Sequence, residues 1–225
     1  MANPIFVAID VPDVAAARGL AQAVARHVGG IKLGLEFFCA HGPAGIAAVT
    51  EGLALPLFLD LKLHDIPNTV AGAVRSLAGI APSILTVHAA GGHAMLAAAK
   101  AAALPGTRVV AVTVLTSLDD ADLAAAGVGD GAAVQVARLA GVVRGAGLDG
   151  VVCSPHEVAA VKAAWPDSFA VVPGVRPAGS AVGDQKRVMT PADALAAGAD
   201  VLVIGRPITA AADPAAAAAS IAASL

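Results

Sequence analysis

Residues Phe58–Val70 read FLDLKLHDIPNTV, and the interpretation of the rest of the sequence starts from this stretch. Its apolar start belongs to a predicted strand, Leu57–Leu61, which ends among charged residues. Pro67 suits the first turn of a helix, because proline has no backbone N–H and the first N–H groups of a helix have no partner within it. A buried strand followed at once by a helix is one unit of a parallel βα fold.

The same alternation runs along the whole chain. Short apolar segments are separated by longer alanine-rich segments of helical character. The predicted strands are Ile5–Ile9, Gly30–Leu33, Leu57–Leu61, Ile84–Val87, Val109–Val114, Gly150–Cys153, Ala170–Val172 and Val201–Ile204. Dividing 225 residues among eight units gives about 28 residues each, which suits a small (β/α)8 barrel. We therefore predict an α/β fold, a single-domain TIM (β/α)8 barrel over residues 1–225.

An open, doubly wound sheet is the structural alternative. Its Gly-x-Gly-x-x-Gly turn would follow the first strand, where this chain has the polar segment Asp10–Asp13. The barrel is therefore favoured.

Composition and charge exclude several classes of protein. The formal net charge is −3 and only 3% of residues are aromatic, so no nucleic-acid partner is expected. Mean hydropathy is +0.78, yet no apolar run reaches about 18 residues, so no membrane-spanning helix is expected. Met1–Asp10 lacks the features of a signal peptide, which predicts a cytoplasmic protein. Cys39 and Cys153 have no metal-ligand spacing and are expected to be buried free thiols.

Ionisable residues interrupt the apolar strands almost only at their carboxyl-terminal ends, the face where barrel enzymes carry their chemistry. Asp60 and Lys62 share one face of the third strand, and Asp65 follows closely. Burying unpaired charges costs several kcal/mol per ion, and only 14% of this chain is charged, so the cluster points to a function. The structural alternative is an Asp60–Lys62 ion pair with Asp65 as a helix N-cap. Further candidate residues are Asp10, His88, Gly205 and Arg206 at strand ends, Lys32 within the second strand and Arg176 shortly after the seventh.

The segment 173–187, PGVRPAGSAVGDQKR, follows the seventh predicted strand and is too long for a simple βα turn. Barrels commonly hold a phosphate group after their last two strands, on backbone N–H groups and a cation. Gln185 and Arg206 are the expected side-chain donors, and an ordinary surface loop is the alternative.

These motifs together resemble the orotidine 5′-phosphate decarboxylase family, and the resemblance covers nearly the whole chain. The Asp-x-Lys-x-x-Asp core alone is shared with 3-keto-gulonate-phosphate decarboxylase and hexulose-phosphate synthase. Two further matches make the resemblance specific to the decarboxylase family. They are the continuation HDIPNT at 64–69 and the two segments RPAG at 176–179 and GDQ at 183–185. Other matching segments are VAID at 7–10, IKLG at 31–34, LTS at 115–117 and IGRPIT at 204–209.

The resemblance implies a carboxy-lyase that converts orotidine 5′-monophosphate to UMP and CO₂, the last step of de novo pyrimidine biosynthesis, with no cofactor and no metal. Lys62 would be the proton donor, and Asp60, Lys32 and Asp65 would be the other catalytic residues. The implied substrate-binding residues are Asp10, Lys32, Asp60, Thr69, Thr116, Arg176, Gln185, Gly205 and Arg206. Asp65 and Thr69 would reach the neighbouring subunit's site, which implies a homodimer with shared active sites.

Three other functions stay open at this point. The first is a metal-dependent sugar-phosphate decarboxylase or aldolase of the same barrel superfamily. The second is an aldolase that forms a Schiff base, which needs a lysine of lowered pKa, whereas neighbouring carboxylates raise the pKa of a lysine. The third is a phosphate-ligand sensor without catalysis.

Overall fold

The fold is a closed barrel of eight parallel strands, numbered β1 to β8 in chain order. It is seen in a computed structural model that describes residues 3–177 and 189–225. The strands are β1 Ile5–Ile9, β2 Gly30–Gly34, β3 Leu57–Leu63, β4 Ile84–His88, β5 Arg108–Val112, β6 Gly150–Val152, β7 Phe169–Val172 and β8 Val201–Ile204. The predicted TIM barrel is confirmed, and the predicted strands differ from these by two residues or fewer at either end.

Helices separate the strands and cover the outside of the barrel. They are α1 Val14–Val24, α2 Leu35–Thr50, α3 Pro67–Ser76, α4 Gly92–Ala102, α5 Asp120–Ala125, α6 Gly131–Gly145, α7 Val158–Ala164, α8 Pro191–Ala196, α9 Arg206–Thr209 and α10 Pro214–Ala223. Asp13 and Asp213 cap α1 and α10, because each side chain accepts a backbone N–H of the first helical turn. In the described parts of the chain, no helix is both long and apolar enough to span a bilayer.

The side-chain period of two divides the strands between two apolar layers. One layer fills the barrel and consists of Phe6, Ala8, Phe58, Ile84, Val110, Val112, Val152, Val171, Val201 and Val203. The alternate residues, such as Ile5 and Val7, pack against the helices in a second and larger layer. The next inward-facing positions toward the carboxyl-terminal end of the barrel are Asp10 directly after β1, Lys32 on β2 and Asp60 on β3. Their side chains therefore lie above the apolar filling. The barrel geometry alone therefore gathers charge at one end.

Two aspartates connect strands and helices at the opposite, amino-terminal end of the barrel. Asp149, directly before β6, accepts hydrogen bonds from Lys100 Nζ on α4 at 2.6 Å and from the backbone N of Val109 on β5 at 2.7 Å. Asp200, directly before β8, accepts in the same way from a lysine of α7 and from the backbone N of Ala170 on β7, both at 2.7 Å. Each carboxylate thus joins a helix to two strands, far from the charged end.

We expect Asp149→Ala to lower the free energy of unfolding by about 2 kcal/mol, because a charged acceptor is lost and the Val109 N–H is left without its partner. Urea unfolding measures this change. The control is Asp167→Ala, at an exposed position beside the same end, which should change the free energy by less than about 0.5 kcal/mol. Equal effects of the two substitutions would contradict the role given to Asp149.

Candidate active site

A cavity of about 530 Å³ opens at the carboxyl-terminal end of the barrel. This volume falls in the range of small-molecule sites. The apolar barrel filling forms its floor, through Ala8, Phe58, Val112, Val152 and Val203. The predicted site residues on its walls are Asp10, Lys32, Asp60, Lys62, Thr116, Arg176, Gly205 and Arg206. The structure therefore brings together eight residues that the sequence analysis selected separately.

Four of these side chains form a row of alternating charge, which we call the ion-pair row: Asp10, Lys32, Asp60 and Lys62. Lys32 Nζ lies 3.0 Å from Asp10 Oδ1 and 3.6 Å from Asp60 Oδ2. Lys62 Nζ donates to both carboxylate oxygens of Asp60 at 2.9 Å. The side chains of Lys32 and Asp60 are 9% and 13% exposed, whereas that of Lys62 is 35% exposed and faces the cavity. The lysine with the greatest access to a ligand is thus the last member of the row.

The electrostatics of the row centre on Asp60. Burial by itself would raise the pKa of Asp60, but the ammonium groups of Lys32 and Lys62, with hydrogen bonds from Lys62 and Thr86, outweigh it and hold the pKa below its ordinary value of 3.8. Asp60 is therefore an ionised carboxylate in a poorly solvated position.

Gly34 leaves space for the first pair of the row. A Cβ atom on Gly34 would lie 3.1 Å from Lys32 Nζ and 3.3 Å from Asp10 Oδ1, closer than side chains usually approach. Gly34 belongs to the motif IKLG at 31–34, but it was not among the site residues predicted from the sequence. The signal in the sequence was a glycine two positions after a buried lysine on the same face of the strand.

Thr86 is a second residue that the sequence analysis did not select. It lies on β4 with no exposed surface. Its Oγ1 donates to Asp60 Oδ1 and accepts from the backbone N of Lys62, each at 2.9 Å. Lys62 has a φ of 50°, which costs about 1 to 2 kcal/mol for a residue other than glycine. The only signal in the sequence was one hydroxyl at an inward position of an apolar strand.

Two of the predicted residues, Asp65 and Thr69, do not line the cavity of their own chain. Residues 64–69 are all exposed, and Ile66 among them is 66% exposed. Asp65 Oδ1 accepts the backbone N–H of Ile66 at 2.6 Å, while the N-cap position of α3 is Ile66, without a side-chain cap. The alternative role of Asp65 as a helix cap is therefore wrong.

The last two strands provide the other wall of the cavity. Arg176 follows β7, and its Nη1 donates to the carbonyl of Val175 at 2.9 Å. The backbone N of Arg176 donates to Met189 O at 2.9 Å, beside a bridge between Val175 and Met189. This bridge connects the residues that follow β7 with those that precede α8. Gln185, which the sequence analysis selected, lies outside the described residues.

The histidines and cysteines of the chain do not assemble a metal site in the part that the structure describes. The rings of His64 and His88 stack with centroids 5.4 Å apart beside Lys62. Burial, with the nearby His64 and Lys62 charges, holds the pKa of His88 below its ordinary value. Cys153 is buried as expected, but the expectation was wrong for Cys39, which is exposed on α2.

We expect Lys32→Met to raise the pKa of Asp60, because the positive charge of the Lys32 ammonium is one of the main influences that lower it. A ¹³C titration of labelled aspartate carboxyls measures the change. A lowered pKa means that ionised Asp60 favours folding at pH values above 3.8 and that this contribution is lost as the pH falls through the folded-state pKa. Lys32→Met should reduce that contribution. Lys100→Met, at the other end of the barrel, should leave Asp60 unchanged, and an unaltered pKa in both variants would refute the assignment.

Comparison with known proteins agrees with this geometry. The family model described as "Orotidine 5′-phosphate decarboxylase / HUMPS family" matches residues 3–221. The chain is 60% identical over 201 residues to the orotidine 5′-phosphate decarboxylase of Novosphingobium aromaticivorans, covering 89% of each chain. It is 59% identical over 202 residues to that of Thermobifida fusca, covering 89% of this chain and 86% of the relative. The crystal structure of orotidine 5′-phosphate decarboxylase from Lactobacillus acidophilus superposes with a TM-score of 0.84 at 36% identity, covering 97% of both chains. The protein whose barrel carries this ion-pair row thus belongs to the orotidine 5′-phosphate decarboxylase / HUMPS family.

Proposed function

We propose that this protein decarboxylates orotidine 5′-monophosphate to UMP and CO₂, as the last step of UMP formation. One observation carries the proposal: a lysine ammonium, held by a buried carboxylate, faces a cavity of about 530 Å³ in a chain that is 60% identical to a named decarboxylase.

The reaction needs a cation at the site that we assign to Lys62. When the bond between C6 of the pyrimidine and its carboxylate breaks, the electron pair stays on C6, which has no adjacent carbonyl to delocalise it. The Lys62 ammonium would stabilise this developing charge and then transfer one proton from Nζ to C6. CO₂ leaves, and the neutral amine takes a proton back from water. Because Asp60 holds Nζ in place before substrate binds, little reorganisation is required during the reaction.

The remaining ion-pair row and the opposite wall would bind the nucleotide. We assign Asp10 and Lys32 to the ribose hydroxyls and Thr116 to the pyrimidine amide. Binding of the phosphate is assigned to Arg176, Gln185, Gly205 and Arg206, of which the described members line the same cavity. Because the phosphate is remote from C6, its binding energy can be used to position the reacting base.

We further propose that the working unit is a homodimer in which Asp65 and Thr69 complete the cavity of the partner subunit. This assignment is supported by their exposure on the rim three and seven residues after Lys62, and by the apolar side chain of Ile66 between them, which is 66% exposed. A second copy covering this rim would bury Ile66 and bring Asp65 to a neighbouring site. The cytoplasmic location stays a prediction from the sequence.

The purified protein should consume orotidine 5′-monophosphate, seen as a loss of near-ultraviolet absorbance with formation of UMP. Lys62→Ala should lower kcat by at least about 1000-fold, because it removes both the cation and the proton donor. Lys100→Ala, a matched lysine at the other end of the barrel, should keep kcat within a factor of about two. Absence of turnover by the unmodified protein at saturating substrate would refute the proposed function, and loss of turnover in EDTA would favour a metal-dependent lyase.

Mixed dimers test the shared site. Asp65→Asn and Lys62→Ala should each be inactive alone. After the two variants are mixed in equal amounts and their subunits exchange at random, half of the dimers carry one intact site out of two, so about a quarter of the unmodified activity should return. A mixture of Asp60→Asn with Lys62→Ala is the control, since both residues line the cavity of their own chain and no intact site can form. If subunits exchange and the first mixture stays inactive, the shared-site arrangement is wrong.

A further inference from the structure

We propose that Thr86 is a positioning residue of the active site, whose single hydroxyl fixes the Asp60 carboxylate and the backbone of Lys62 relative to each other. The proposal rests on the function proposed above. It starts from the location of Thr86, a fully buried polar side chain in the middle of β4. The residues on either side of it, Leu85 and Val87, face the helices, so Thr86 faces the barrel interior.

The direction of both hydrogen bonds of Thr86 is determined by the chemistry of its partners. The backbone N–H of Lys62 can only donate, so Thr86 Oγ1 accepts from it at 2.9 Å. The ionised carboxylate of Asp60 can only accept, so the one hydroxyl proton of Thr86 points to Asp60 Oδ1 at 2.9 Å. One side chain therefore contacts both Lys62, the proposed proton donor, and Asp60, which holds the Lys62 ammonium in place, and its proton has no alternative position that keeps both bonds.

Lys62 needs this support because regular strand pairing is interrupted at its position. On β3 and β4, Leu59 pairs with Leu85 and the next pair is Leu63 with Val87. Three residues of β3 therefore lie between these pairs, opposite a single residue of β4. Lys62 lies inside this irregularity with its φ of 50°. Its backbone N–H donates to the hydroxyl of Thr86 where a regular ladder would offer a carbonyl. Thr86 thus stabilises the backbone conformation from which the Lys62 side chain reaches the cavity.

The same hydroxyl also orients the Asp60 carboxylate. Asp60 Oδ1 accepts from Thr86 and from Lys62, while Oδ2 accepts from Lys62 and faces Lys32 at 3.6 Å. Without the Thr86 bond, rotation of the carboxylate would alter its contacts with both lysines. A displacement of about 1 Å at reacting groups is enough to slow a reaction 100-fold. The expected defect lies in kcat, because the two hydrogen bonds described for Thr86 are to Lys62 and Asp60, which hold the reacting ammonium and are not assigned to the phosphate or the ribose.

The test compares Thr86→Val with Thr86→Ser. Valine matches threonine in shape but can neither donate nor accept, whereas serine keeps the hydroxyl. We expect Thr86→Val to lower kcat by about 10- to 100-fold with KM changed less than about threefold, and Thr86→Ser to keep kcat within about threefold of the unmodified protein. Thr107→Val is the matched control, since Thr107 is also buried and its hydroxyl donates to Pro82 O away from the active site. Its kcat should be unchanged.

The outcomes separate this inference from the function on which it rests. If the unmodified protein does not decarboxylate orotidine 5′-monophosphate, the proposed function fails. If it does, and Thr86→Val retains kcat within about twofold or Thr86→Ser falls as far as Thr86→Val, only the role of Thr86 is overturned. Should Thr86→Val not fold, Thr86→Cys replaces it, because cysteine has the branching of serine but carries a larger sulfur atom that forms only weak hydrogen bonds. Serine should then exceed cysteine in kcat by at least about fivefold, and equal values would refute the proposal.

Discussion

Asp60 is a carboxylate on the inner wall of a barrel, 13% exposed, and it stays ionised there because an ammonium group lies on each side of it. An isolated ion in such a position would cost several kcal/mol. Lys32 and Lys62 offset this cost for Asp60, and Asp60 does the same for them. Each of the three charges is stabilised by its neighbours, so the arrangement of the carboxyl-terminal end of the barrel depends on their contacts.

The rest of the fold can be understood from where these contacts must form. Lys32 lies on β2, while Asp60 and Lys62 lie on the adjacent β3, and the inward parity of a parallel barrel directs all three side chains to the same region above an apolar floor. Lys62 lies at the point where β3 departs from regular pairing with β4. The aspartate clamps that join helices to strands lie at the opposite end, at Asp149 and Asp200. The residues that stabilise the barrel are thus distant from Lys62, whose backbone conformation is unfavourable. The site can therefore hold that conformation without destabilising the rest of the fold.

The barrel and most of the charged residues of the site could be predicted from the sequence. Parallel strands that are buried on both faces are almost wholly apolar, so a charge near a strand end is conspicuous. Asp10, Lys32, Asp60 and Lys62 could be predicted as site residues in this way, and the structure places them together. Thr86 could not be predicted, because a threonine is common in strands and its hydrogen-bond partner is determined by the irregular register of β3.

Other properties depend on how elements pack, which local patterns do not encode. Cys39 lies on α2, in a stretch whose apolar residues are spread widely around the helix, and no spacing in the sequence showed that this thiol faces outward. Asp65 precedes α3 at a position where an acidic N-cap is common, yet its carboxylate contacts the next N–H in the chain and leaves the helix without a side-chain cap.

The ion-pair row also explains how the proposed reaction could repeat. After Lys62 gives up a proton it is neutral, and Asp60 then has only Lys32 as a cationic neighbour within the row. The carboxylate is still poorly solvated, so the loss of one of its two ammonium partners raises the free energy of the site. Return of a proton to Lys62 restores the balance of two cations around Asp60, with Asp10 beside Lys32. Because Lys62 faces the cavity, water can deliver that proton once the product has left, and the charges that hold the lysine for reaction also favour its return to the reactive form.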